Sequence, residues 1–247
     1  LVEQMADTTS TPVVVVDAGA RTGAPFARNC AARYASGDVF LICDADDIAT
    51  RSWVAEMVAS LGSHEFVAGA LKPFTHTPGD WHADEYRTNI DDWHGYCPTA
   101  ATANVGLRRT TFERVGGFDE RFLAAEDIDL AVRLFEGGVV VEASPGVMWY
   151  RQREGAVAWA QNLAWCASWD IAVQAERRER LRAGGRYQSF GFCAGDLARH
   201  VLNPHRWPKN ARERSHWISQ IRIKSGRVRG HLLKHQRLSA PPRLLAG

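Results

Sequence analysis

The sequence predicts an α/β fold whose sheet is covered by helices on both faces. Three observations point there. The strand candidates are continuous apolar runs rather than alternating ones, helical patterns come between them, and a polar or acidic turn ends the strands.

Taken in order, Val13–Val16 followed by Asp17-Ala18-Gly19 reads as a buried strand entering a turn. Gly23-Ala24-Pro25 opens a helix, with Pro25 suited to the first helical position and Phe26, Cys30 and Tyr34 on one inward face. Ser36-Gly37-Asp38 stops it. Val39–Cys43 is a second buried strand ending in Asp44-Ala45-Asp46-Asp47, and Trp53–Leu61 a second helix. From His64 to Pro98 the pattern weakens, which predicts a surface excursion. Its Trp81, Trp93 and Tyr96 are expected to pin that loop to the body rather than stack on a ligand, and His76, His82 and His94 lack metal-ligand spacing.

A strand is expected at Thr102–Leu107. Thr110-x-x-Glu113 then reads as the capping box of a short helix ending at Gly116-Gly117. Glu126-Asp127-Ile128-Asp129-Leu130 opens a helix with Ile128, Ala131, Val132 and Phe135 on one face, closed by Gly137-Gly138. Short strands at Val139–Val141 and Val147–Tyr150 precede a long helix, Trp159–Leu181, whose Trp159, Trp165 and Trp169 are expected in the core.

The 247 residues are 45% hydrophobic and 23% charged, enough for a real core, which excludes disordered, collagen-like and disulfide-miniprotein classes. The net charge of +2 conceals an asymmetry: from Arg199 onward there are twelve Lys/Arg against one acid, Glu213, so the preceding body is net acidic. This divides the chain into a body, 1–198, and a basic, partly helical extension, 199–247. The extension suits an anionic membrane surface, and without a recognised motif nucleic acid is disfavoured. Five scattered cysteines without a C-x-x-C pair argue against a disulfide framework and a zinc site, and with no membrane span predict a cytoplasmic location, peripheral at the inner membrane face.

Two acidic clusters carry the chemistry. Asp44 and Asp46, where a buried strand ends, can converge on a hard divalent cation such as Mg²⁺ or Mn²⁺; the plain alternative is a solvated turn capping the next helix. Glu126-Asp127 suits a helix N-terminus on electrostatic grounds alone. Three strings in order change the balance: Ala27-Arg28-Asn29, then D-A-D-D after a strand, then Gly116-Gly117-Phe118-Asp119-Glu120 followed by E-D-I-D-L-A-V-R. Over about Val13 to Arg153 the chain resembles the inverting glycosyltransferases of family 2, which have the GT-A fold.

The resemblance implies transfer of a sugar from a nucleotide-diphosphate donor to the hydroxyl of a glycan or lipid-linked acceptor. Arg28, Asp44 and Asp46 would face the donor. Asp44 and, mainly, Asp46 would hold Mn²⁺ or Mg²⁺ on the diphosphate. Asp127 would be the general base with Glu126 its neighbour, Asn29 would fix the loop, and Gly117-Phe118 would approach donor sugar and acceptor. The family also implies a strand–helix–strand unit ahead of Val13, so the chain, opening on Leu1, is expected to be N-terminally truncated. Family members often place a His after the E-D helix. Tyr150-Arg151-Gln152-Arg153 stands there instead, with Arg151 or Arg153 facing diphosphate or solvent. Two other readings compete. One is an inactive or incomplete sugar-nucleotide-binding module acting through its basic extension. The other is a D-x-D phosphohydrolase of the haloacid-dehalogenase type, which Asp47-Ile48 after the motif fits poorly.

Overall fold

The structure, a computed structural model, describes residues 11–74, 88–151, 156–233 and 244. Its centre is a five-stranded sheet built from β1 (Val39–Cys43), β2 (Ile48–Ala49), β3 (Phe66–Phe74), β6 (Asn104–Arg108) and β7 (Glu142–Arg151) in the order β1-β6-β3-β7-β2. Only the β3–β7 pair is parallel. A separate hairpin pairs β4 (Ile90–Trp93) with β5 (Cys97–Ala100).

Side-chain alternation along these strands feeds two cores, because successive residues point to opposite faces. Phe40, Phe66, Ala68, Val105 and Leu107 face α1 (Ala24–Tyr34), α3 (Arg109–Arg114) and α4 (Glu126–Glu136). Val39, Leu41, Val67 and Met148 face α2 (Trp53–Leu61) through Trp53, Met57 and Leu61. Covering on both faces is what the continuous apolar runs predicted. α4 is apolar on two sides. Leu130, Ala131 and Leu134 join the first of these cores, while Val132 packs with Trp93, Phe122, Trp169 and Val173 of a third core under α5 (Ala156–Glu176).

Several expectations are corrected. Val13–Val16 forms no strand: Val13, Val14 and Val15 are exposed, and among the described residues no strand pairs with them. Tyr34 is likewise 70% exposed rather than inward. The supposed excursion contains the nine-residue β3, whose Gly69 and Pro73 disguised a buried strand, and the β4–β5 hairpin. α3 begins at Arg109 without a side-chain cap, so the capping box is not formed; Thr111 Oγ1 instead donates to Glu65. One strand replaces the two short ones after α4. The long helix breaks at Arg177 into α5 and α6 (Arg178–Ala183). Trp169 is buried as expected, but Trp165 is 40% exposed, and the side chain of Trp159 lies outside the described residues, as do Trp81, His76 and His82.

The last helices, α7 (Phe190–Leu202) and α8 (Ala211–Leu233), pack on each other, and α8 lies along α5. Gly226 and Gly230 make that approach possible, because a Cβ at either position would overlap the main chain of Ala164 or Ser168. No helix among the described residues is long and apolar enough to cross a membrane.

Asn104 knots the sheet. It is fully buried, accepts from Trp53 Nε1 at 2.8 Å, and donates to Ala70 O at 2.9 Å and Gly146 O at 3.0 Å. Asn104→Leu strands all three partners, so unfolding free energy is expected to fall by about 3 kcal/mol. A urea midpoint shifted down at unchanged slope checks it.

Candidate active site

The site grows from three element ends. β1 stops where its apolar run meets Asp44, and the chain turns at once, Asp47 N donating to Asp44 O at 3.3 Å. α1 presents Arg28 outward on one turn and buries Asn29. α4 starts after Ala125, a non-glycine residue held at φ 59°. A left-handed alanine costs roughly 1 kcal/mol, and such outliers concentrate where a site needs a particular aim. Here it aims the first turn of α4, with Glu126, Asp127 and Asp129.

Arg28 joins the two acidic clusters. Its Nη1 donates to Glu126 Oε1 at 2.7 Å, 98 residues away, and its Nη2 to Asp44 Oδ1 at 2.9 Å. The guanidinium also lies over the Phe118 ring, 5.5 Å from its centre. Asn29 clamps the loop beneath in both directions: Nδ2 donates to Phe118 O at 2.9 Å, and Oδ1 accepts from Phe118 N at 3.0 Å. Gly117 precedes that clamp at φ 67°, a conformation strained for any residue with a Cβ. Phe118 is fully buried, with its ring beneath the Arg28 guanidinium. Arg28, Asp44 and Glu126 are thus in direct contact, with Phe118 below and Asp127 beside Glu126.

Asp127 is half-buried, and its Oδ1 accepts from Ile128 N at 2.8 Å. Burial, reinforced by the Glu126 charge, pushes its carboxyl up to about 7, against the pull of the Ile128 N–H and of Arg28. That is the working range of a general base near neutrality. Asp129 is instead held by Arg133 and Arg177, both at 2.9 Å, and is structural.

On the other side of the turn, β7 delivers Arg151. Its main-chain N donates to Asp47 Oδ1 at 2.8 Å, its Nε donates to Asp46 O at 3.1 Å, and its guanidinium lies over the Phe74 ring. Arg151 therefore braces the D-x-D turn; Gln152 and Arg153 lie outside the described residues. Asp47 was not singled out from sequence. Its Oδ2 is buried without a partner, and burial raises its carboxyl to about 6. Three acids in four residues were visible, but nothing in that spacing says which turns inward. Glu120, bonded to Arg21 at 2.7 Å and to Asn29 at 3.1 Å, is a second support the sequence did not reveal.

A divalent cation fits this donor set. Asp46 is exposed and in no ion pair among the described residues, Asp44 is partly exposed, and Asp47 holds an unsatisfied oxygen. All are hard oxygens, suited to Mg²⁺ or Mn²⁺ completed by phosphate and water. No cluster of three or more His, Cys, Asp or Glu that could hold a metal occurs among the described residues.

Residues 1–116 match the family described as Glycosyl transferase family 2. Over that segment the chain resembles the family 2 glycosyltransferases. The matched segment contains Arg28, Asp44 and Asp46 and ends before Glu126-Asp127. Among solved structures, the mannosyltransferase PcManGT from Pyrobaculum calidifontis, in complex with GDP-Man and Mn²⁺, is 18% identical with a TM-score of 0.57, covering 94% of this chain and 72% of that one. That likeness is one of fold, the GT-A-like fold. TarS of S. aureus is 13% identical at a TM-score of 0.40, covering 92% of this chain and 46% of that one. TarS 1-349 with UDP-GlcNAc is 13% identical at 0.40, covering 95% and 79%. At those scores neither carries weight. No curated protein sequence matches the chain.

Proposed function

We propose that this glycosyltransferase moves a sugar from a nucleotide-diphosphate donor to the hydroxyl of a glycan or lipid-linked acceptor in one displacement, with inversion. The observation that supports it is the double contact of Arg28, which joins the D-x-D turn to the Glu126-Asp127 helix start at the end of β1. A donor-holding group and a candidate base are thereby neighbours although far apart in sequence. In this reading the body, 1–198, is the catalytic unit and 199–247 a basic extension.

Asp127 takes the acceptor hydroxyl proton as the oxygen attacks the anomeric carbon. The bond from that carbon to the diphosphate breaks, and its electron pair leaves with the nucleotide. No second carboxylate acts as nucleophile, so configuration inverts. Glu126 keeps Asp127 basic through repulsion and holds Arg28 in place. Arg28 sets the direction of Asp44, and Arg151 holds the turn from below. A Mn²⁺ or Mg²⁺ bound by Asp44 and Asp46 would supply Lewis-acid stabilisation of charge on the departing diphosphate. The neighbour PcManGT, with its GDP-Man and Mn²⁺, supports the donor class.

The test is titration calorimetry of Mn²⁺ with a nucleoside diphosphate. The wild type is expected to bind in a metal-dependent way, and Asp46→Ala to weaken this by about tenfold, the worth of one charge-assisted contact. Equal binding with and without metal, or by the variant, would remove Asp46 as a ligand. Absence of any binding would overturn the proposed donor site.

A further inference from the structure

The extension is not used by the chemistry above. α7 and α8 are tied along their length by the stacked His200–Trp217 pair, by the Lys224–Asp196 ion pair and by the His231 contact with Gln188 O at 2.8 Å. Gly226 and Gly230 seat α8 on α5. Around residues 199–209, at one end of this helical pair, large apolar and basic side chains are exposed. There Leu202 is 73% exposed and Trp207 54% exposed. Arg199, Arg206 and Lys209 stand around them, all exposed and in no side-chain ion pair among the described residues. Two shallow cavities of about 640 and 360 Å³ meet at Arg206. The acid lining the larger one, Glu213, is occupied by Lys209 N at 2.8 Å and Asn210 Nδ2 at 2.7 Å.

We propose that this tip docks on an anionic lipid bilayer. Large apolar side chains ringed by unpaired cations match a surface whose phosphates lie just above hydrocarbon. The Trp207 ring suits that boundary, because its Nε1 already donates to Val201 O at 2.8 Å and leaves no orphaned N–H on entry. Leu202 gains nothing from a nucleic-acid backbone but is stabilised on leaving water, which favours the bilayer. Because α8 is clamped to α5, docking would orient the whole body, presenting the site at a set height to an acceptor at the membrane surface.

Sedimentation of the full chain with vesicles tests this. Partition is expected onto phosphatidylcholine–phosphatidylglycerol vesicles, falling with added salt, and not onto phosphatidylcholine alone. Each basic residue near such a surface is worth about fivefold in partition, so the double variant Arg199→Ser with Arg206→Ser is expected to lose roughly thirtyfold. Leu202→Ser with Trp207→Ser is expected to abolish partition, with circular dichroism confirming that each variant is folded. Wild-type partition in both double variants, equal partition onto neutral vesicles, no partition at low salt, or displacement from vesicles by duplex DNA would each overturn the proposal.

Discussion

Asp127→Asn is expected to lower the rate of nucleoside diphosphate release in the presence of acceptor by about a thousandfold, the middle of the range for a positioned general base. Donor binding should stay within about twofold, because the proposed role of Asp127 is on the acceptor hydroxyl rather than the donor. The pH profile gives a second readout. With a carboxyl raised to about 7, the wild-type rate should climb as pH rises through 7 and then level off, and the asparagine variant should lack that limb. Stability runs the opposite way. The folded pKa lies above the unfolded value of about 4, so the folded state binds the extra proton between those values. This group's contribution therefore falls as pH rises from about 4 to about 7, and Asp127→Asn should flatten that part of the stability curve. Unchanged turnover would remove Asp127 as the base.

The second large effect is expected at Arg28. Arg28→Gln leaves Glu126, whose side chain is 12% exposed, and Asp44, 39% exposed, without their shared cation. Glu126 then stands largely buried without its partner, and Asp44 loses its aim. Loss of one preorganised charged donor at a site typically costs about a hundredfold, and kcat/KM should fall by about that much. Arg28→Lys should recover little, because an ammonium cannot span two carboxylates as the guanidinium fork does. Full rescue by lysine would show that only net charge is needed there.

The sequence disclosed the fold where physics is local. The apolar run Val39–Cys43 and the acids that end it mark a strand, and α4 follows from its helical periodicity. It misled where burial depends on neighbours: Val13–Val16 has the composition of a core strand, yet a strand without a partner beside it is not buried. β3 was hidden for the opposite reason, since sheet context overrides a glycine and a proline that read as loop. For the site, residue types were legible but pairings were not. Arg28 was expected to face the donor, but its double contact with Glu126 and Asp44 appears only in the fold. Likewise, the inward turn of Asp47 is set by the distant Arg151.

α4 has a mechanical consequence. Asp127 stands at the free end of a helix gripped between two separately packed bodies, the sheet core through Leu130, Ala131 and Leu134 and the α5 core through Val132. A beam held along both flanks cannot slide or roll without both walls repacking at once. The proposed base is therefore a fixed anvil, and any adjustment to acceptors of different shape falls to the segments around it. Overpacking beneath α5, at Val173 for example, should alter the chemistry without touching the site, because the wall it disturbs is the one that holds the helix still.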